Sequence, residues 1–188
     1  IKKMGVGIDT LKLKKRSEKL AFLEVKLGDK ATGYCRLEGF TTQTFNANSE
    51  EYERQYVDED TKRTDVKAYS ESVNYNFDYY LHHPALEEIV KITENELTGY
   101  DAVRNILIVD MTSATAGGQY TATVRPYTVV PSSNGDTTDC MTYSGDFKSR
   151  GTKKTVKVTL DDDCENATIV AGNTVAETSA SQSTAVKK

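Results

Sequence analysis

Tyr69-Ser70-Glu71-Ser72-Val73-Asn74-Tyr75-Asn76-Phe77-Asp78-Tyr79 is the stretch on which the fold turns. Its odd positions read Tyr, Glu, Val, Tyr, Phe, Tyr; its even positions read Ser, Ser, Asn, Asn, Asp, with Glu71 alone out of pattern. Side chains alternate faces along a strand, so a period of two marks a strand with one buried aromatic face and one small, polar, hydrated face. The same alternation returns at 140–148, where Met141, Tyr143, Gly145 and Phe147 alternate with Thr142, Ser144, Asp146 and Lys148, and again at Val156, Val158 and Leu160. Leu23, Val25 and Leu27 alternate within 19–27, a strand with a short helix as the alternative. Residues 34–46 are β-prone with Gly39 as a bulge. Residues 103–110, around Ile106-Leu107-Ile108-Val109, read as a central strand, and 120–130 as another in which Pro126 indicates an edge or a bulge. Gly28-Asp29, Gly117-Gly118 and Ser133-Asn134-Gly135-Asp136 supply turns.

One helix interrupts this pattern, over 84–97. Pro84 suits its first position, Glu87 and Glu88 the positive end of its dipole, and Lys91 the other end. Leu86, Ile89 and Val90 give the apolar stripe of a helix lying on a sheet, and Gly99 closes the region. The expected fold is therefore mainly β, a β-sandwich or barrel with one flanking α-helix. Eleven Tyr and only 3 Pro agree with it.

A chain of 188 residues suits one domain with arms. We divide it into a basic N-terminal arm with the first strand (1–30), a β-domain (31–170) and a Ser/Thr/Ala-rich C-terminal arm (171–188). Net charge is -4, unevenly spread. Lys2, Lys3, Lys12, Lys14, Lys15, Arg16 and Lys19 face only Asp9 and Glu18 in the first 19 residues, which leaves the body acidic. Such an arm binds nucleic acid or lies across the acidic face of a neighbouring copy. The body lacks the basic stripe of a nucleic-acid groove, which favours the neighbouring copy. Apolar runs such as 106–109 fall far short of the roughly 20 residues of a membrane helix. The opening Ile-Lys-Lys-Met-Gly-Val-Gly lacks the apolar core of a signal peptide, so assembly in a cytoplasm is expected.

Chemistry-bearing constellations are sparse. Cys35, Cys140 and Cys164 are odd in number and far apart, as packing residues are. His82 and His83 are adjacent and therefore diverge, which suits a surface pair or helix cap better than a metal site. Asp161-Asp162-Asp163 with Glu165 lacks the spaced ladder of a calcium loop. Gly5-x-Gly7 is no phosphate cradle. No catalytic, cofactor or metal residue is assigned, and an enzyme is not expected. Residues 47–66 hold Glu50, Glu51, Glu53, Asp58, Glu59 and Asp60 with Arg54, Lys62 and Arg63 around Tyr52 and Tyr56. A long charged connection with aromatic and Arg residues has the composition of a contact surface.

Tyr52-Glu53-Arg54-Gln55-Tyr56-Val57-Asp58-Glu59, Thr64-Asp65-Val66 and Tyr75-Asn76-Phe77-Asp78 resemble the tail tube (major tail) proteins of phages infecting Gram-positive bacteria. The similarity extends to Pro84-Ala85-Leu86-Glu87-Glu88-Ile89-Val90, Tyr127-Thr128-Val129-Val130-Pro131 and Tyr143-Ser144-Gly145-Asp146-Phe147-Lys148, over about residues 36–160. The resemblance implies a tail-tube-like fold with extended N- and C-terminal arms and stacked, usually six-fold rings whose inner strands join around a lumen. It also implies a loop that reaches the adjacent ring. Residues 47–66 occupy that loop's place, so the resemblance assigns Tyr52, Arg54, Tyr56, Asp58 and Glu59 to ring–ring contact. Implied partners are further copies of the chain, the tape measure, tail tip and terminator proteins, and double-stranded DNA in transit, with no membrane. The implied location is the virion tail, assembled in the host cytoplasm.

The polar face read from the alternation suits a water-filled bore. Basic contacts would slow DNA by holding its phosphates, so a neutral-to-acidic lining is expected. On that ground Ser70, Ser72, Asn74, Asn76, Asp78, Thr142, Ser144 and Asp146 are the expected lumen-facing residues. Rival readings are a carbohydrate-binding or adhesin β-sandwich module, a nucleic-acid-binding protein acting through its arm, and the tube of a contractile phage-tail-like bacteriocin.

Overall fold

The computed structural model describes residues 12–27, 31–115, 117–135 and 138–170. Most of the N-terminal arm and the whole of 171–188 lie outside the described residues. Among these described residues eleven strands and one α-helix follow in the order β1 (Lys19–Leu27), β2 (Ala31–Arg36), β3 (Phe40–Asn46), β4 (Ser49–Arg54), β5 (Arg63–Tyr69), β6 (Ser72–Asp78), α1 (Pro84–Glu94), β7 (Val103–Asp110), β8 (Tyr120–Asn134), β9 (Thr142–Ser149), β10 (Lys154–Leu160) and β11 (Asn166–Ile169). The mainly β architecture with one flanking helix is the one expected from sequence.

Nine strands form one sheet in the order β10-β11-β2-β1-β7-β8-β9-β6-β3, and an additional β10–β8 pairing closes six of them into a ring. The remaining three, β9, β6 and β3, continue from β8 as an open sheet, and β4 and β5 form a separate two-stranded sheet. Strand β8 makes both parts possible because it is 15 residues long. Its first half pairs with β10, from Tyr120↔Val158 to Val124↔Lys154, and its second half with β9, from Tyr127↔Ser149 to Asn134↔Tyr143. Pro126 stands at this handover. Its carbonyl accepts from the Arg150 N–H at 2.9 Å, so its missing N–H faces the same seam, where no strand calls for a donor. The proline therefore marks a change of partner inside a central strand rather than an outer edge.

Two cores result. Phe22, Leu107, Val109, Ala122, Val156, Val158 and Ala167 share one side of the closed ring and fill it. Leu23, Val25, Ile106 and Ile108 point the other way from β1 and β7, and pack with Tyr75, Phe77, Phe147, Tyr127 and α1. Strands β1 and β7 are thus buried on both faces, which is why 106–109 is continuously apolar instead of alternating. Helix α1 buries Leu86, Ile89, Val90 and Ile92 against this second core. It ends at Glu94, short of 97, because Asn95 leaves helical geometry at φ -91° and ψ 6° and Glu96 turns left-handed at φ 50°.

Four local differences from the sequence reading have physical causes. Residues 34–46 divide into two strands at Gly39, whose φ of 75° breaks the ladder. The stretch 69–79 divides at Ser70-Glu71, so Tyr69 belongs to β5. Residues 47–66 are no structureless loop but most of a hairpin. Strand β11, four residues long, was not expected; it bridges β10 and β2 and completes the ring.

Candidate assembly surfaces: a polar sheet face and an outlying hairpin

The strands that bury Val73, Tyr75, Phe77, Tyr143 and Phe147 carry small polar residues on their other side. Register sets them in rows across the open sheet. Asn46, Ser72, Lys148 and Thr128 share one row; Thr44, Asn74, Asp146 and Val130 the next; Thr42, Asn76, Ser144 and Ser133 a third; Asp78 and Thr142 follow. The rows are knitted together. Asn46 Nδ2 donates to Asn74 Oδ1, and Asn74 Nδ2 to Asp146 Oδ1, each at 2.5 Å, while the Ser133 and Ser144 hydroxyls meet at 2.7 Å. Side chains locked in this way present a fixed polar surface rather than a mobile fringe.

Seven of the eight residues expected on this face share it: Ser72, Asn74, Asn76, Asp78, Thr142, Ser144 and Asp146. Thr142 is 5% exposed in the single chain. Ser70 lies before β6, and its N–H donates to the Asn48 carbonyl at 3.1 Å. Sequence reasoning did not assign Thr42, Thr44 and Asn46 of β3 to the face. Their alternation with Gln43 and Phe45 was the available signal, obscured by the irregular register between Phe40 and Thr42. Among the described residues the open sheet has two unpaired borders, the outer edge of β3 and the length of β8 beyond Thr128, where β7 stops.

The β4–β5 hairpin stands away from both cores, with all six β4 residues exposed and all of β5 except Ala68. Cross-strand pairs Tyr52↔Asp65 and Arg54↔Arg63 share one side. There the Arg54 and Arg63 guanidinium carbons lie 5.6 and 5.7 Å from the Tyr56 ring centre. Arg54 also donates to the Tyr52 hydroxyl at 3.2 Å, and Arg63 is paired with Glu59. Four of the five residues assigned to ring–ring contact, Tyr52, Arg54, Tyr56 and Glu59, thus form one aromatic–guanidinium cluster; Asp58 lies in the adjoining tip turn. Arg63 completes the cluster and was not singled out from sequence.

Glu71, the residue that broke the alternation, fastens the root of the hairpin. Its carboxylate accepts from the Tyr127 hydroxyl and lies 3.8 Å from both Arg125 and Lys153, while its carbonyl accepts from the Ser149 N–H at 3.0 Å. Burial, reinforced by the Glu71 carboxylate, holds the Tyr127 hydroxyl above the ordinary phenol range. In the break between β3 and β4, Asn48, left-handed at φ 44°, donates to the Ser70 carbonyl at 3.0 Å and the Ser72 hydroxyl at 2.9 Å.

The described end of the basic arm lies on its own domain. Lys14 bonds both Asp110 carboxylate oxygens at 2.6 Å, and Arg16 donates to Gln43 at 2.8 Å. The Asp161 carboxylate accepts from the Glu165 and Asn166 N–H groups, so it holds the turn before β11. Among the described residues no group of three or more His, Cys, Asp or Glu is arranged to hold a metal ion, and no helix is long and apolar enough to cross a membrane.

A closed antiparallel ring running into an open polar sheet, with one flanking helix, is a tail-tube-like fold. The sequence matches no protein-family model and no curated protein sequence. Among solved structures the chain resembles one from the tail of an empty gene transfer agent particle, computed with helical refinement and C6 symmetry. The TM-score is 0.54 at 10% identity, over 75% of this chain and 97% of that one. It also resembles a chain from the virion of the native gene transfer agent particle, with TM-score 0.52, 10% identity and the same coverage, 75% and 97%. At this identity the likeness is one of fold.

Proposed function

We propose that this chain is the structural subunit of a phage-type tail tube, of the kind its sequence resembles in phages of Gram-positive bacteria. Copies assemble as stacked rings, six to a ring, into a hollow conduit for double-stranded DNA. The observation that carries the reading is the polar face of β3, β6, β9 and the far half of β8 on a sheet with two borders that no described strand pairs. Unpaired edges invite further strands. Joining the β3 border of one copy to the β8 border of the next closes the sheets around a bore and brings the polar rows to its lining. The lining carries Asp78 and Asp146 against Lys148, so it offers DNA phosphates few cations to grip. The C6 symmetry of the neighbouring particle's tail supports six copies per ring.

In this assembly the β4–β5 hairpin makes the ring–ring contact through Tyr52, Arg54, Tyr56, Asp58 and Glu59. The role is architectural, with no catalytic step. Tape measure, tail tip and terminator proteins are the further partners, and the assembly forms in the host cytoplasm and resides in the virion. Negative-stain electron microscopy of the purified, concentrated protein tests this. Hollow, regularly striated tubes are the expected result. Monodisperse monomers that persist even with preformed tail tips as seeds would replace this reading with the binding-module one.

A further inference from the structure

Strands β4 and β5 prolong β3 and β6, so residues 40–78 form one long antiparallel ribbon. The turn closed by the Glu59 N–H to the Tyr56 carbonyl lies at one end of it, and Gly39 and Tyr80 lie at the other. At that second end Tyr80 and Leu81 are 60% and 71% exposed. Beside them opens a cleft of about 620 Å³, lined among others by Arg36, Gly39, Leu81, His82, His83 and Pro84. The left-handed turn at Gly39 lets the Tyr80 ring lie against it; a Cβ there would stand 3.1 Å from the ring. The first turn of α1 meets the cleft with its N-cap, His83, making no side-chain capping bond. Among the described residues nothing pairs with the buried His83 Nδ1.

We propose that this cleft receives the β4–β5 hairpin tip of a second copy of the chain, stacked along the ribbon axis. The proposal rests on the tube reading and names the surface that the ring–ring contact uses. A head-to-tail repeat needs two different, complementary surfaces at opposite ends of the repeating unit, and the two ends of the ribbon meet that requirement. Their chemistry matches. Tyr56 and the fully exposed Val57 at the tip suit Tyr80 and Leu81. Among the described residues, no cation pairs with Asp58 or Asp60 within the chain, and the α1 N-terminus, whose N-cap makes no side-chain bond, gives an anion a favourable seat beside His82 and His83, while Arg36 is 3.2 Å from Glu38. Among the described residues Arg54 has no carboxylate of its own, while Glu165 lines the cleft together with Glu38, which Arg36 already holds. A two-stranded hairpin is marginally stable alone in water, so docking also supplies the cover that it lacks in the single chain.

A photo-crosslinking residue in place of Tyr56 in the full chain, irradiated in tubes and in monomers, tests the assignment. Mass spectrometry is expected to find inter-copy links, only in tubes, to residues 35–39, 80–84 or 165–166. If replacing Tyr56 itself blocks polymerisation, the probe moves to Leu81, and its links must land on 52–60. In tubes, links to any other surface, including 171–188 of another copy, or no inter-copy link at all, overturn the cleft assignment and leave the tube reading standing. Failure of the unmodified chain to form tubes overturns both. Leu81→Asp, at an exposed turn, is expected to raise the critical concentration for polymerisation at least about tenfold without moving the monomer's thermal midpoint. An unchanged critical concentration overturns the proposal.

Discussion

At Gly145 a Cβ atom would stand 2.4 Å from the Val130 carbonyl oxygen and 2.6 Å from the Tyr75 hydroxyl. The glycine thus gives the Tyr75 ring its bed on β9, and Tyr75 in turn stacks on Phe147 with centroids 4.5 Å apart. Gly145→Ala is expected to lower monomer stability by about 1–3 kcal/mol, as overpacking does, in urea unfolding monitored by tyrosine fluorescence. A second test concerns the buried pair of Arg104 and Glu88, joined at 2.9 and 3.1 Å, with the same guanidinium donating to the Asp101 and Val103 carbonyls. Losing one partner leaves a charge buried alone, so Glu88→Leu or Arg104→Met is expected to cost about 3–5 kcal/mol. The double substitution should cost clearly less than the sum, and strict additivity would argue against the pairing. A third is the Lys14 bond to Asp110, which together with the Thr112 contacts holds that carboxyl down to about 2. A depressed carboxyl stabilises above its unfolded value and loses that contribution as pH falls through the folded one. Amide protection at Glu18 and Lys19, whose N–H groups bond the Lys15 and Arg16 carbonyls, should therefore persist through pH 4 and fade only towards pH 2. Fading centred near pH 4 would break the link. Glu71 shows the limit of residue-level reading. From sequence it is a flaw in the alternation, while its links to Tyr127, Arg125 and Lys153 come from β8 and the β9–β10 turn, far along the chain.

Elements were legible wherever one face is buried. The period of two in β6 and β9 and the stripe of α1 are imprints of a core on the sequence, and both were found. The β4–β5 hairpin has no core to leave an imprint: its residues are exposed on both sides, and its charges follow no period. Its strands therefore looked like a loop, although its composition marked it for contact. The same exposure predicts how it answers to mutation. Tyr56→Ala combined with Arg54→Ala is expected to leave monomer stability within about 0.5 kcal/mol, since surface changes away from packed groups rarely exceed that. Polymerisation should nonetheless fall sharply, as read by light scattering. A destabilised monomer would mean that the hairpin supports its own domain instead. Strand β11 escaped notice for another reason. Four residues after an acidic turn carry too few alternations to register, and Ala167 is the only buried one among them.

The whole molecule was legible as a class and not as a topology. Alternation says that a strand has an inside; it does not say that β10 returns to β8 or that β11 fits beside β2, because those partners are chosen by packing over long sequence separations. The polar face is a case in between. Its residues were read strand by strand, and register later joined them, with β3 added. If that face lines a bore, Thr44→Lys should leave tubes intact and make them retain double-stranded DNA at low salt, with retention falling steeply as salt rises. DNA retention no different from the unmodified tube would place the face elsewhere. The ring's closure has a further consequence, for the order of events during synthesis. Asn166 and Ala167 pair with Cys35 and Tyr34, so a strand made early waits for one made late before the ring can shut. Contacts this distant slow folding. Until β11 emerges from the ribosome, β2 and β10 stay open to strangers, and the cell's chaperones have a defined interval in which to guard them.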